Sequence, residues 1–409
     1  MKKASAEKFA TFRELLDWLD RKGMFSMELG LGRMRRALTD LNLSQPAGIG
    51  VQVLGTNGKG STCAFLTSLA RASGLKTGTY LSPHFVSPRE RILIDDKPAG
   101  EELWRLGANE IFEACPGAEN LTYFEFLTLL ALVIFRSADV GAYILEAGLG
   151  GKNDATSAIP VAARCFAPVS MDHAAIIGPT LADIARDKAA VIDTGSLNFS
   201  ASQYPAVKEI LEDKARGANL RFVEPLPPHD LPLAGDHQFV NAALALECWR
   251  AFYPGAMVAD LNGAFIPGRA QNISLGKAKI ILDGAHNPGA AQSLARYLKR
   301  ARIAPSSLIF SCLADKDWKT TLAILLKNSG EATVFFTELA NSRATPLDDM
   351  IDFFRSTYPA RPCQWGRFDE YFNRAILSGG TILLAGSLYL LGEFYALYPE
   401  YLIKTDKEE

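Results

Sequence analysis

The run Val51-Gln-Val-Leu-Gly-Thr-Asn-Gly-Lys-Gly-Ser-Thr62 passes from a short apolar stretch into a glycine-rich loop with a single lysine. The chemistry this favours is capture of a polyanion. Gly55, Gly58 and Gly60 carry no Cβ, so the backbone through Thr56 and Asn57 can bend until several N–H groups point at one anion. Lys59 adds a positive charge. The apolar helix expected to begin near Ser61 and Thr62 aims the positive end of its dipole at the same place. These are the parts of a triphosphate cradle. The common form of such a loop puts Lys directly before Ser or Thr, whereas here Gly60 separates Lys59 from Ser61. A bare turn between strand and helix is the plainer alternative, and Lys59 at this spacing weighs against it.

Other polar residues follow apolar runs in the same manner. Ser82-Pro-His84 follows a run ending at Leu81, Glu146-Ala-Gly-Leu-Gly-Gly151 follows another, and Asp172-His173 comes after a third ending at Val169. A hydroxyl (Ser82), a carboxylate (Glu146) and an imidazole (His173) around a triphosphate suit Mg²⁺, which takes hard ligands and keeps several waters. Glu146 lies between Leu145 and Ala147, where a carboxylate is costly to bury unless a cation accompanies it. Taken singly, these residues have blander readings. Ser82 reads equally as a turn or cap serine, His173 as a satisfied structural histidine, and Lys188 as a snorkelling surface lysine. Later in the chain, Asp283 and His286 follow Ile280-Ile-Leu, and Pro267-Gly-Arg269 precedes it. Arg269 either reaches a phosphate or forms an ordinary linker salt bridge.

Such residues need a scaffold that brings strand ends together. From residue 49 onward, apolar runs alternate with helical periodicity. Strands are expected over 49–54, 76–81, 140–145, 164–169 and 197–200, and helices over 11–21, 61–73, 122–136, 181–191 and 205–215. This alternation implies parallel strands with helical crossovers, an α/β doubly wound sheet. Ligands gather at the carboxyl ends of such strands, which puts Lys59, Ser82, Glu146 and His173 on one crest. Four prolines between 223 and 235 make that stretch a surface connection. A helix over 240–252 and a turn over 262–269 follow. The pattern then restarts with strands over 279–282, 307–312, 333–336 and 381–385, and helices over 290–300, 319–326 and 347–356 before a closing helix. The organisation expected is a P-loop nucleotide-binding domain over 1–270 and a smaller Rossmann-like α/β domain over 271–409.

The composition agrees. A chain of 409 residues, 48% hydrophobic and 22% charged, is typical of a globular protein of two domains. A formal net charge of −2 gives no reason to expect nucleic acid or an anionic membrane as partner. The apolar stretch at 126–135 is too short to span a bilayer. The first residues lack the apolar core of a signal peptide, and the six cysteines contain no Cys-x-x-Cys pair, so they read as reduced structural thiols. A monomeric cytoplasmic protein with small-molecule partners is expected.

In order along the chain, Leu29-Gly-Leu-Gly-Arg-Met34, Gly55-Thr-Asn-Gly-Lys-Gly-Ser-Thr62, Ser82-Pro-His84 with Glu90-Arg-Ile92, and Phe124-Glu125 are followed by Glu146-Ala-Gly-Leu-Gly-Gly151 with Asp154-Ala-Thr156, and then by Asp172-His173. Gly178-Pro-Thr-Leu181 running into Lys188, His237-Gln238 with Asn241-Ala-Ala243, Pro267-Gly-Arg269, Leu282-Asp-Gly-Ala-His-Asn-Pro288, Asp315-Lys-Asp317 and Gly386-Ser-Leu388 complete the series. Together these segments resemble the folylpolyglutamate synthase/dihydrofolate synthase family, a branch of the Mur ligases. The resemblance implies an ATP-dependent amide ligase that phosphorylates a carboxylate and lets L-glutamate attack the acyl phosphate. By position it implies Lys59 and the loop amides on the phosphates, Ser82 and Glu146 on one magnesium ion, and His173 on a second. It makes Lys188 a carbamylated lysine, puts Asn241 near adenine and sets Arg269 on phosphate. Asp283 and His286 would meet nucleotide and glutamate. Leu29, Thr122, Phe124 and Asp154 would line a dihydropteroate site, an aspartate suiting the donor edge of a pterin.

Several positions depart from the family pattern. Lys152-Asn-Asp-Ala-Thr-Ser157 stands where Arg-Leu-Asp-Ala-Thr-Asn is usual, Asp187 replaces glutamate, Ala190 replaces glycine, and the 195–232 connection is short. Two other readings are a ligase acting on peptidoglycan precursors and a nucleotide-binding regulator without turnover. The first normally needs a further N-terminal domain, while here the first strand begins at Ile49. The second has no physical need for a two-metal constellation.

Overall fold

The computed structural model describes residues 8–23, 28 and 30–404. It divides into two units: Met1–Leu226 with Val240–Gly263, and Pro227–Phe239 with Ala264–Glu409. The division is therefore not a single cut at 270. The proline-rich connection and Arg269 group with the second unit.

The first unit starts with α1 (Phe12–Lys22) and α2 (Gly32–Asp40). Next come β1 (Ile49–Leu54), α3 (Lys59–Ala72), β2 (Thr77–Tyr80), the short β3 (Ile92–Ile94) and β4 (Lys97–Pro98), α4 (Glu101–Ala114) and α5 (Tyr123–Ser137). The chain continues through β5 (Ala142–Glu146), β6 (Ala163–Phe166), the single turn α6 (Ala174–Ile177), α7 (Leu181–Ala189), β7 (Leu197–Ala201), α8 (Pro205–Lys214), β8 (Leu220–Val223) and α9 (His237–Arg250), which belongs to this unit from Val240 onward. The strand order is β4-β3-β2-β5-β1-β6-β7-β8. All neighbours from β2 to β8 run parallel, and β3 and β4 add an antiparallel edge.

Central strands covered on both faces are largely apolar, and β5 and β6 are buried at every residue, with Arg164 of β6 held by Gln52 and Asp193. One face of the sheet is covered by a core that includes Leu15, Leu38, Trp104, Phe126 and Leu130. Another core gathers Leu54, Phe166, Ile184, Val207 and Leu211. The register decides where the chemistry goes. Val53 is level with Glu146 on one side and with Cys165 on the other, and Tyr80 is level with Leu145. The residues that leave β1, β2, β5 and β6 therefore share one end of the sheet.

The second unit contains β9 (Gln271–Leu275), β10 (Ala278–Leu282), α10 (Pro288–Arg300), β11 (Ser307–Phe310), α11 (Trp318–Asn328), β12 (Thr333–Thr337), α12 (Leu347–Thr357), β13 (Cys363–Gly366), α13 (Phe368–Ser378), β14 (Gly380–Ala385) and α14 (Leu388–Leu397). Its order is β13-β12-β11-β14-β10-β9, parallel except for β9. Ile281, Leu294, Leu308, Phe336 and Leu383 belong to its core. Among the described residues no helix is long and apolar enough to cross a membrane.

Candidate active site

The glycine-rich loop leaves β1 and turns directly into α3, whose first residue is Lys59 rather than Ser61. Gly58 caps the helix in the left-handed region at φ +91°, and a Cβ there would run into the side chain of Asn241 from α9, which is 1% exposed. Two loop amides do not point at an anion as expected. Thr56 and Asn57 donate their N–H groups to the carbonyl of Pro168, at 3.0 and 3.3 Å. The Thr56 hydroxyl donates to Ser170 O at 3.0 Å, and the Asn57 amide donates to Ser170 Oγ at 3.1 Å. These bonds tie the first half of the loop, from Gly55, to the segment after β6. The amides suited to an anion are those that open α3, at Lys59 and Gly60, because a helix leaves its first N–H groups without intrahelical partners. Thr62 closes that turn, its N–H and its hydroxyl both bonding to Gly58 O at 2.9 Å. Lys59 Nζ folds back onto Thr56 O at 3.2 Å, level with the amides.

Ser82 and Glu146 meet. The Ser82 N–H donates to Glu146 Oε2 at 2.9 Å, and Glu146 is only 5% exposed. His173 occupies a left-handed conformation, φ +53° and ψ +33°, unusual for a residue with a Cβ. Its N–H donates to Asp172 Oδ1 at 2.8 Å, and its Nε2 lies 3.8 Å from Asp172 Oδ2. Lys188, far from being a snorkelling lysine, is 4% exposed on α7 and donates to Gly150 O at 3.3 Å. Burial pushes its ammonium down to about 7, and the charge of Lys59 acts in the same direction. A Cβ on Gly151 would lie 2.9 Å from Lys188 Cα. The glycine pair of this turn is thus what lets the loop lie on the helix that carries the lysine. The departure at Ser157 keeps that turn together, its hydroxyl donating to Gly151 O at 2.7 Å and accepting from Gln52 Nε2 at 2.8 Å.

The expected acceptor residues have structural duties. The Thr122 hydroxyl accepts from Glu125 N and the Glu125 carboxylate accepts from Thr122 N, which forms a capping box at the start of α5. Arg33 holds the same carboxylate through two nitrogens, each at 3.1 Å. Phe124 lies against Gly148 and 5.7 Å from the Tyr80 ring. Asp154 also has a structural duty. Its Oδ2 accepts from Gly148 N and Leu149 N at 2.8 and 2.9 Å, and its Oδ1 accepts from the Thr156 N–H, at 3.0 Å, and hydroxyl. A carboxylate has about four lone-pair sites, and all are occupied by its own loop. Asp154 organises the turn that follows β5. Leu29 lies outside the described residues.

In the second unit, Asp283 at the end of β10 is 8% exposed and accepts from Ala270 N and Ala285 N at 2.8 and 2.9 Å. Burial raises its pKa while nearby Arg269 opposes the rise. Arg269 Nη1 donates to Gly268 O at 3.1 Å, and the His286 Nδ1 contacts Gly284 O at 2.8 Å. His237, quoted in the sequence only as part of a motif, belongs to this cluster. Burial, Arg269 and Arg296 push it down to about 4. In the first unit His84 and Arg91 were likewise motif residues without a role. Arg91 Nε donates to His84 Nδ1 at 2.9 Å, and burial together with Arg91 pushes His84 down to about 3.

Residues 269–397 match the family profile described as "Dihydrofolate synthetase, C-terminal domain". The dihydrofolate synthase/folylpolyglutamate synthase of Escherichia coli K12 is 32% identical over 331 residues, covering 76% of this chain and 78% of the relative. The human mitochondrial folylpolyglutamate synthase is 32% identical over 384 residues, covering 80% of this chain and 65% of the human protein. The chain thus spans just under two thirds of the human relative, and 51% of the Arabidopsis thaliana folylpolyglutamate synthase it also matches. Among solved structures, E. coli FolC in complex with DHPP and ADP superposes with a TM-score of 0.86 at 27% identity, covering 97% of this chain and 99% of that one. The Mycobacterium tuberculosis folylpolyglutamate synthase complexed with ADP and AMPPCP gives 0.83 at 25% identity, covering 95% and 98%. The likeness runs through both units, and with it the chain belongs to the folylpolyglutamate synthase/dihydrofolate synthase family.

Proposed function

We propose that this chain is an ATP-dependent amide ligase that joins L-glutamate to dihydropteroate and extends reduced folates with further glutamates. In this reaction a carboxylate oxygen of the acceptor attacks the γ-phosphorus of ATP and ADP departs. The glutamate amine then attacks the acyl carbon, phosphate leaves with the C–O electron pair, and the amine proton passes to solvent. Such chemistry depends on positioning and charge neutralisation more than on a protein nucleophile. The observation that carries the reading is the crest where Lys59 on α3 and the Ser82–Glu146 pair leave adjacent parallel strands.

In this reading the first-turn amides of α3 and Lys59 hold phosphates, and Asn241 lies towards the adenine. Ser82, Glu146 and His173 are metal ligands, with His173 at a second ion. The donor set fits Mg²⁺. Glu146 accepts from the Ser82 amide through Oε2, and the three proposed donors are fewer than the six that Mg²⁺ takes. Coordination positions therefore remain for phosphate oxygens and water. When bound, the ion neutralises charge on the transferred phosphoryl group. Lys188, pushed down to about 7, presents a neutral amine near neutral pH. Attack of that amine on CO₂ forms an N–C bond and releases a proton, giving an anionic carbamate. In the second unit, Arg269 serves phosphate, and Asp283 and His286 serve nucleotide and glutamate. Leu29, Thr122 and Phe124 line the pterin subsite, while Asp154 keeps its loop in shape.

The test is glutamate-dependent ADP release by purified protein with ATP and Mg²⁺, offering 7,8-dihydropteroate and tetrahydrofolate in parallel. Turnover with both is expected, and Lys59→Ala should abolish it with the fold intact. Silence with both acceptors, or near-normal turnover in Lys59→Ala, would overturn the assignment. Native mass spectrometry at raised and depleted CO₂ tests the carbamate on Lys188, and an unchanged mass refutes it.

A further inference from the structure

The connection between β2 and β3 holds a buried positive charge that no described carboxylate neutralises. Arg91 is 3% exposed. Its Nε donates to His84 Nδ1 at 2.9 Å, and its guanidinium lies 5.4 Å from the centre of the Tyr123 ring. Among the described residues no Asp or Glu is ion-paired with it. His84 does not supply the missing charge, because an imidazole that accepts at Nδ1 carries its proton on Nε2 and is neutral. A guanidinium has five N–H donors and no acceptor, and here a single donor is engaged by a neutral partner. Taking a cation out of water without an anion is strongly unfavourable even after the surroundings relax.

Arg91 is also held in place. Its carbonyl accepts from Leu81 N at 2.9 Å, and the next residue, Ile92, is level with Tyr80 in the β2–β3 ladder. The chain before it is gathered by the carboxylate of Glu90, which accepts from the N–H groups of Phe85, Val86 and Ser87 at 2.7, 2.9 and 2.6 Å. These bonds fix the backbone that carries Arg91, and the contacts with His84 and Tyr123 place its guanidinium. Its neighbours are residues that the ligase reading assigns to metal and acceptor. Leu81 leads directly into Ser82, Tyr123 stands between Thr122 and Phe124, and the charge of Arg91 is felt at the buried Tyr80 hydroxyl.

We propose that Arg91, oriented by His84, binds the acceptor carboxylate that is not being activated, the second carboxylate on the terminal glutamate of a folate. The inference rests on the ligase reading above. It makes Arg91 a specificity-determining residue, because a pteroate has one carboxylate and a folate has two. His84 is a positioning residue that fixes the guanidinium plane.

Equilibrium fluorescence titrations of tetrahydrofolate, of its two terminal monoamides and of dihydropteroate test this on wild type, Arg91→Gln and Arg91→Lys. Wild type should bind one monoamide about 10- to 100-fold more weakly than the parent, the range of a charge-assisted hydrogen bond. In Arg91→Gln the parent should fall to the level of that monoamide, while dihydropteroate stays within about threefold of wild type on the same scale. Arg91→Lys should recover part of the discrimination. ADP binding and the urea midpoint of each variant report whether the nucleotide loop and the fold are intact. If wild type binds tetrahydrofolate but does not distinguish either monoamide from it, the proposal falls without recourse to any variant. It falls too if Arg91→Gln weakens all four ligands equally, which would assign the residue to loop architecture. Wild type that binds no pterin acceptor overturns the ligase reading itself, a result distinct from either of these.

Discussion

Gly58→Ala perturbs the nucleotide loop in a way whose cost divides into two parts. Gly58 has φ +91°, and a Cβ built on it falls inside the 3.0 Å that real Cβ contacts essentially never breach, against the buried side chain of Asn241. The left-handed backbone alone costs alanine about 1–2 kcal/mol. To regain ordinary contact, the loop or Asn241 must also shift by about 1 Å, and the close-packed surroundings of a 1% exposed side chain resist that. Gly74 separates the two parts, because its φ is +79° and nothing lies within 4 Å of its Cβ position. Urea denaturation should show Gly74→Ala destabilised by about 1–2 kcal/mol, with Gly58→Ala losing more than that. In calorimetric titration, ADP affinity should be unchanged in Gly74→Ala and reduced at least about tenfold in Gly58→Ala, since 1.4 kcal/mol is one decade. Wild-type ADP affinity in Gly58→Ala would refute the idea that contact with Asn241 shapes the nucleotide loop. Full stability in Gly74→Ala would refute the backbone part.

Lys188 should make stability depend on pH. Its folded pKa of about 7 lies below the ordinary 10.5, so between those values the unfolded chain binds more protons and stability rises with pH, by up to about 1.4 kcal/mol per unit. Lys188→Met should remove that rise, and parallel pH profiles of the urea midpoints for the two proteins would contradict it. Asp154→Ala withdraws the acceptor from the N–H groups of Gly148, Leu149 and Thr156, each worth about 1–3 kcal/mol when left unmet. A loss of about 3 kcal/mol or more is expected, with Asp154→Asn intermediate. A loss below about 1 kcal/mol would show that the loop does not depend on this carboxylate.

The parallel strands were legible because a strand buried on both faces is largely apolar, and β1, β5 and β6 announce themselves in that way, the buried Gln52 and Arg164 bonding to each other across the β1–β6 pair. The edges were not. β9 buries only Ile273, and β13 has three exposed residues of four, so neither shows a run that periodicity can detect. The β3–β4 hairpin and β8 escaped because they are only two to four residues long, and α2 because its three arginines obscure the apolar stripe of Met34, Ala37 and Leu38. At the site, residue type carried most of the information. A lysine in a glycine loop and a glutamate ending an apolar strand advertise their chemistry. The amides of Thr56 and Asn57 were misjudged because their partner, the Pro168 carbonyl, is a backbone atom that no side-chain pattern marks. The loop bonds of Asp154 were hidden for the same reason, three of their donors being backbone N–H groups. The isolation of Arg91 from every described carboxylate is a fact of three-dimensional placement, so its sequence neighbours do not show it.

The position of β1 between β5 and β6 has a consequence for biogenesis. The strand that leads into the nucleotide loop is made early, yet Val53 pairs with Glu146 and Cys165, roughly 90 and 110 residues further on. While a ribosome is still synthesising α5, the loop sequence has been translated, but the strands that bracket it and the Pro168 carbonyl that shapes it do not yet exist. Closing contacts so distant in sequence is slow, and until they close an apolar strand stands with both edges open to other chains. Nucleotide capture is therefore a late event in the life of this chain, and ligand held at the loop stabilises only molecules whose central sheet is already complete.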